Sequence, residues 1–264
     1  MPLPSPPTPT FETTIPSTKK KVKYRPFLVR EEKILLITME GEPDVPTWTN
    51  NEEIDDQLLS KYEKEKEEWE DDVKKTVKDL LNSCILSRIK VDDLTNFDLE
   101  YLFLRIRAAS SGEDIVMQVT CSDDNETKVN ARINLMDVEV KFPEGHDNKI
   151  MLGEEMGMVM KYPGMNVFVD QTLLNKGVQK TEELFDLIAD CVDQIFDGES
   201  VYDSADIKRS EIMAFIEKMT QQQFEKLQEF FKTMPVLSHT FSVVNPNTGV
   251  KSEYTMEGLS TFFG

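Results

Sequence analysis

The chain has 264 residues and a mass of 30.4 kDa, with 30 basic and 49 acidic side chains and a formal net charge of −19. This length suits one large domain or two small ones, and the charge disfavours binding to nucleic acid or to an anionic membrane. The sequence contains no membrane-spanning apolar run and no signal peptide, which favours a cytoplasmic protein, and its three cysteines predict reduced thiols.

The N-terminal segment combines proline with positive charge. Residues 1–18 are rich in Pro, Ser and Thr, and residues 19–33 carry seven basic and two acidic side chains. We predict that residues 1–24 form an extended Pro/Lys-rich arm that becomes ordered on binding a partner. A solvated face beside an acidic neighbour is an equally open interpretation. The predicted partner-contact residues are Lys19, Lys20, Lys21, Lys23, Tyr24, Arg25, Pro26, Phe27 and Arg30.

Two helices are predicted next. The apolar run after Pro26 predicts a buried helix with this proline in its first turn and Gly41 at its end. The acidic segment 42–72 contains 13 acidic and 3 basic side chains. Lys and Glu alternate over residues 61–72 at spacings that allow i,i+4 pairs. This pattern predicts an exposed helix that continues into apolar residues as far as Leu81.

The segment from Asp92 to Ala109 predicts the central element of the first domain. At about 100° per residue, Leu99, Phe103 and Ile106 fall on one side of a helix. Apolar residues such as Phe97 and Leu104 fall on the other side. A helix that is apolar on two faces lies between two layers of the protein.

Period-two alternation follows the central helix. Ile115–Cys121 and Val129–Val140 predict an antiparallel hairpin around a polar turn. Further short strands are predicted near Lys149–Leu152 and Gly157–Tyr162.

The C-terminal part predicts three helices and a hairpin. The first helix has Thr181 as its N-cap, apolar residues at helical spacing as far as Ile195, and Gly198 past its end. A capping-box pattern at Thr220 opens the third helix, which Pro235 closes. The second helix and the two hairpin strands are predicted at Asp206–Met219, His239–Val244 and Val250–Met256.

These elements predict an α+β fold. The first domain, residues 25–163, combines helices with one or more antiparallel β-hairpins and includes the acidic segment 42–72. The second domain, residues 164–264, is helical and ends in a β-hairpin. The arm of residues 1–24 precedes both.

The chemistry-bearing residues predict no catalytic, cofactor or metal site. No phosphate-binding glycine pattern is present. His146 is predicted to lie in an exposed loop, and His239 is predicted at a strand start without a companion. Cys84 and Cys191 lie on apolar helical faces and are best interpreted as core residues. Cys121 opens a turn without a second cysteine, so structural zinc is not expected. A hydrolase with an unrecognised carboxylate site remains an alternative that would require strongly shifted acids in a pocket.

Four motifs run in order from about residue 20 to the end of the chain. They are Arg25-Pro-Phe-Leu-Val-Arg-Glu-Glu-Lys-Ile-Leu-Leu, Asn82-Ser-Cys, Leu94-Thr-Asn-Phe-Asp-Leu-Glu-Tyr-Leu-Phe-Leu-Arg-Ile-Arg-Ala and Gly258-Leu-Ser-Thr-Phe-Phe. Together they resemble the baseplate hub subunit and hub assembly proteins of contractile-tailed phages of the T-even type. Relatives often have a CxxC-type turn where this chain has Cys121-Ser-Asp-Asp and Asn245-Pro-Asn-Thr-Gly. The acidic segment 42–72 resembles an insertion.

The resemblance implies a noncatalytic protein of tail morphogenesis in the hub or wedge region of the baseplate. It implies location in the virion tail, and in the host cytoplasm during assembly. The implied partners are other hub or wedge proteins and tail tube or spike components within a symmetric hetero-oligomer, without direct contact to nucleic acid or insertion into a membrane. A transient assembly chaperone that is absent from the virion is the first alternative. An acidic nucleic-acid mimic that inhibits a host protein is an alternative of another class.

Overall fold

The computed structural model describes residues 6–47, 49, 52–165 and 181–262. These ranges combine six α-helices with small antiparallel sheets, which confirms the predicted α+β class. The helices are α1 (Val29–Glu40), α2 (Glu52–Cys84), α3 (Asn96–Ser111), α4 (Thr181–Cys191), α5 (Arg209–Glu217) and α6 (Gln221–Lys232). The strands are β1 (Phe11–Thr14), β2 (Lys21–Tyr24), β3 (Asp114–Thr120), β4 (Lys128–Asn134), β5 (Glu139–Lys141), β6 (Lys149–Met151), β7 (Met156–Met160), β8 (Val192–Asp197), β9 (Ser200–Asp203), β10 (Val236–Val244) and β11 (Lys251–Glu257). Among the described residues, no helix has the length and apolar character needed to cross a membrane.

The N-terminal arm differs from the expected extended segment. Residues 11–24 form a hairpin in which β1 and β2 pair antiparallel, with Ile15 and Val22 fully buried. Ser17 in the turn donates its N–H (2.9 Å) and its hydroxyl to the carboxylate of Asp98 on α3. Lysines alternate with core residues along β2, so one face of the hairpin is apolar and the other is basic.

Helix α1 is more exposed than its sequence predicts. It begins at Val29, so Pro26 precedes it, and Gly41 follows its end as expected. The prediction that this helix is buried is wrong, because α2 covers only one side of it, where Glu31 is buried. Apolar residues occur all around α1, and four of them are between 47% and 56% exposed. These four residues are Ile34, Leu36, Ile37 and Met39.

The predictions for α2 and α3 are confirmed. The first half of α2 is solvated, whereas Val73 and Leu81 near its end are buried. Helix α3 is buried around almost its whole circumference, including Phe97 and Leu104 on one side and Leu99 on the other. It is the central element of the first hydrophobic core.

The hairpin after α3 is confirmed, but its second strand is shorter than predicted. β3 pairs with β4 in register from Asp114↔Asn134 to Thr120↔Lys128. The chain then makes a 3₁₀ turn over Leu135–Asp137 before β5, because the side chain of Asn134 accepts a hydrogen bond from the Met136 N–H at 2.8 Å. The buried guanidinium of Arg105 donates to two carbonyls in this region, which holds the turn against α3.

A second core lies between helices α4–α6 and the sheet β6-β7-β8-β9. The two predicted short strands correspond to β6 and β7. The predicted continuation of α4 through Ile195 is wrong: the helix ends at Cys191, and residues 192–197 form β8. Gly198, at φ 59°, follows β8 in its tight connection to β9. Val192, Ile195 and Phe196 are typical strand residues, so the apolar pattern alone did not locate this boundary.

The predicted capping box at the start of α6 is confirmed. Gln223 donates its backbone N–H to the Thr220 hydroxyl at 3.3 Å, and its side chain accepts the Thr220 N–H at 2.9 Å.

The end of the chain returns to the first core. The predicted terminal hairpin is formed by β10 and β11, and β10 also pairs with β5. Leu237 and Met256 of this hairpin are buried in the first core. We therefore propose that residues 149–160 and 181–234 form one unit and that the terminal hairpin belongs to the other.

Candidate partner-contact surface

Five of the nine predicted contact residues form an exposed basic surface. Lys21 and Lys23 lie on the solvent side of β2, and Lys19 and Lys20 lie in the turn before it. The Arg30 side chain, at the start of α1, is 74% exposed. We call these five residues the basic face. The Ser17–Asp98 hydrogen bonds fix the turn to α3, so the basic face stands on an anchored hairpin.

The other four predicted contact residues belong to the protein's own interior. Tyr24, Pro26 and Phe27 are buried, and the Phe27 ring lies 5.7 Å from the ring of Phe103 on α3. Burial raises the pKa of Tyr24 above its usual value. Within β2 the alternation of side chains turns Tyr24 inward, and Pro26 and Phe27 follow the strand. Because the protein itself covers these side chains, we propose no partner contact for them or for Arg25.

Arg25 instead makes a nearly buried ion pair with Glu31. Its two terminal nitrogens donate to the two carboxylate oxygens at 2.7 and 2.8 Å, and the Leu28 N–H donates to the same carboxylate at 2.7 Å. The side chains of Arg25 and Glu31 are 13% and 6% exposed. The hydrogen bond to Arg25 lowers the pKa of Glu31. This pair joins the end of β2 to the first turn of α1.

Cys84 lies beside this ion pair. Its sulfur is 3.6 Å from an Arg25 nitrogen, and burial raises the pKa of the thiol to about 12. The thiol is therefore protonated at neutral pH, which makes it a poor nucleophile. Cys191 has the same character, since burial raises its pKa to about 12.

A strongly acidic helical segment forms the first half of α2. Residues 52–68 of α2 contain no buried side chain among those the structure describes. Two ion pairs along the helix, Lys61–Glu65 at 3.5 Å and Lys64–Glu68 at 3.8 Å, involve side chains that are at least 50% exposed. We call residues 52–68 the acidic arm. Exposed pairs of this kind stabilise a helix only weakly.

The two polar turns singled out in the sequence lie against each other. The buried amide of Asn245 donates to Asp123 at 3.0 Å and to Asp124 at 2.9 Å. Thr248 and Thr127 donate their hydroxyls to the same two carboxylates, both at 2.5 Å. These hydroxyl bonds are the largest causes of the lowered pKa values of Asp123 and Asp124. We call this hydrogen-bonded cluster the turn clasp.

The turn clasp does not have the composition of a metal site. Cys121 supplies one thiol, and the neighbouring carboxylates already accept hydrogen bonds from Asn245, Thr127 and Thr248. A structural zinc ion requires four ligands, usually thiolates and imidazoles. Within the described ranges, no group of three or more His, Cys, Asp or Glu side chains is arranged to hold a metal ion. The sequence predicts two separate turns and does not predict that they contact each other. Their Asn, Asp and Thr residues are the only local signal of this contact.

His146 is part of an aromatic cluster and not of an exposed loop, which corrects the prediction. Its ring stacks on Tyr162 at 5.6 Å and lies 5.1 Å from Phe230. Its Nδ1 is 2.9 Å from the hydroxyl of Thr233, and that hydroxyl donates to the Glu229 carbonyl. Nδ1 is therefore the donor, and the imidazole cannot act as a base toward this hydroxyl. Nε2 is buried without a partner, and burial lowers the pKa of His146.

The family comparison covers almost the whole chain. Residues 8–264 match the family model described as T4 bacteriophage base plate protein. No curated protein and no solved structure matches significantly. The matched range includes the basic face, the acidic arm, the turn clasp and both cores.

Proposed function

We propose that this chain, which belongs to the T4 bacteriophage base plate protein family, is a noncatalytic structural component of the hub or wedge region of a contractile-tail baseplate. The family match over residues 8–264 is the observation that carries this proposal, because it includes both cores. The buried thiols with raised pKa values are consistent with a structural role. The protein then acts by association with other baseplate proteins.

The basic face provides one contact for this association. Lys20, Lys21 and Lys23 are exposed on a hairpin that is anchored to α3, so little ordering entropy is lost when they meet a partner. In a chain with a formal net charge of −19, a positive surface complements an acidic region of a hub or wedge neighbour. Tube or spike proteins are the other candidate neighbours.

Charge reversal tests the basic face. We expect the triple variant Lys20→Glu, Lys21→Glu, Lys23→Glu to fold normally and to fail to enter baseplates in infected cells that lack the wild-type protein. The matched control reverses three exposed lysines elsewhere, Lys128, Lys218 and Lys251. Equal incorporation of the two triple variants would refute a specific role for the basic face.

A transient assembly chaperone is the alternative within the same class. Quantitative mass spectrometry of purified virions separates the two possibilities. We expect peptides of this chain at a fixed ratio to known baseplate subunits. Their absence from virions, together with their presence in assembly intermediates, would favour the chaperone.

The acidic arm favours a second function of another class, a nucleic-acid mimic that inhibits a basic host protein. Clustered carboxylates on a helix imitate the charge of a phosphate backbone. This function requires tight, strongly salt-dependent binding to a host DNA-binding protein. Duplex DNA should compete with this chain for that host protein. Binding to baseplate intermediates and not to such a host protein would rule it out.

A further inference from the structure

We infer that the acidic arm is a docking helix that inserts into an apolar groove, rimmed by Lys or Arg, on another baseplate protein. This inference rests on the proposed function, but it concerns a surface separate from the basic face. It assigns a role to a long helical extension that contributes no buried residue to either core.

Helix α2 is longer than the part of it that packs in the first core. Its 33 residues span about 50 Å at 1.5 Å per residue. Described contacts of α2 with α1 include the Trp69 indole, which donates to the Thr38 carbonyl at 2.8 Å, and burial begins at Val73. The acidic arm spans about 25 Å of helix before this contact region. Near its start, Thr49 donates its N–H and its hydroxyl to Asp55 at 2.8 and 2.7 Å.

An apolar stripe runs along the acidic arm. Taking Ile54 as zero and about 100° per residue, Leu58 and Tyr62 lie near 40° and 80°. Trp69 and Val73 lie near 60° and 100°, so the stripe continues the side of α2 that enters the core. Ile54 is 45% exposed, and Leu58 and Tyr62 are half-buried. Anchors spaced at i, i+4 and i+8 are typical of a helix that binds in a groove.

The charge of the segment specifies the partner. Residues 52–72 carry 11 acidic and 3 basic side chains, a formal charge of 3 − 11 = −8. A groove that receives the apolar stripe therefore needs a basic rim. A second copy is disfavoured as the occupant, because it brings a further −19 of charge and an acidic arm of its own.

Substitution of the stripe tests the docking helix. The stripe variant changes Ile54, Leu58 and Tyr62 to Gln. The control variant changes Ser60, Lys64 and Glu67, which lie on the opposite side of the same arm, to Gln. Gln is a good helix former, so both full-length variants are expected to keep the helical circular dichroism signal and thermal midpoint of the wild type.

The probe is a set of baseplate assembly intermediates purified from cells infected with a phage that lacks this protein. Binding is measured by co-sedimentation. We expect the stripe variant to bind at least ten-fold more weakly than the wild type and the control variant to bind within two-fold of it. We also expect wild-type binding to weaken at least ten-fold when NaCl is raised from 0.1 to 0.5 M, because the rim contact is electrostatic.

The possible failures can be told apart. Binding of the stripe variant at wild-type strength would overturn the docking helix and leave the baseplate role intact. Absence of wild-type binding to every intermediate would overturn the proposed function and the inference that rests on it. Binding that does not depend on salt would overturn the inference that the partner groove has a basic rim. A concentration-dependent dimer in sedimentation equilibrium that the stripe variant loses would identify a second copy as the occupant and overturn the inferred partner.

Discussion

Substitution of Arg25 distinguishes an internal role from a partner contact. Arg25→Met keeps much of the side-chain volume and leaves the carboxylate of Glu31, which is 6% exposed, without its main counter-charge. Breaking a buried ion pair by removing one partner costs about 3–5 kcal/mol. The Leu28 N–H still donates to this carboxylate. We therefore expect a loss near the lower end of that range.

Arg30 provides the matched control. It also approaches Glu31, at 3.5 Å, but its side chain is 74% exposed. Exposed ion pairs contribute about 0–1 kcal/mol, so Arg30→Met is expected to change stability by less than about 1 kcal/mol. The free energies of unfolding are measured by urea titration with a constant m-value. A loss below 1 kcal/mol for Arg25→Met would refute the internal role.

The pH dependence gives a second test of the same pair. Because the pKa of Glu31 is lowered in the folded state, its ion pair contributes stability that is present above the unfolded value of about 4.5. This stability is lost as the pH falls through the folded pKa. The difference in stability between wild type and Arg25→Met is therefore expected to narrow below pH 4.5. A difference that stays constant down to pH 3 would contradict the assignment to Glu31.

Three further predictions concern the cores and the turn clasp. Phe103→Ala is expected to cost about 3–5 kcal/mol in urea titration, because it leaves a cavity beside Phe27, whereas Val116→Ala on an exposed position should change stability by less than about 0.5 kcal/mol. Since burial lowers the pKa of His146 in the folded state, its contribution to stability is complete above about pH 6.5 and decreases as the pH falls below that value. His146→Phe is therefore expected to reduce the change of the urea midpoint between pH 7 and pH 5. Asn245→Ala is expected to speed amide hydrogen exchange in both turns of the clasp and to lower the thermal midpoint; unchanged exchange would show that the turns are held independently.

The elements with one consistent pattern could be predicted from the sequence. In α3, apolar residues repeat on two faces at helical spacing, and only a position between two layers satisfies both. The Thr220 capping box and the alternation of β3 and β4 are equally local signals. Each of these depends on neighbours within a few residues along the chain.

The features that depend on distant contacts could not be predicted. Val192 and Ile195 fit the apolar stripe of a helix as well as they fit a strand, and the pairing of β8 with β7 decides between them. His146 carries no local sign of burial, because Tyr162 and Phe230 come from other parts of the chain. The meeting of Asn245 with Asp123 joins residues more than a hundred positions apart.

Helix α1 shows why apolar content alone does not predict burial. Its apolar residues lie all around the helix, and such a helix is expected to be enclosed on every side. In this structure, α2 covers the side that contains Glu31, while Ile34 and Ile37 remain about half exposed. A protein gains nothing in its own stability from apolar side chains that stay in water. Contiguous exposed apolar surface is typical of interaction sites, so the outer side of α1 is consistent with a protein whose surface is completed by its neighbours in an assembly.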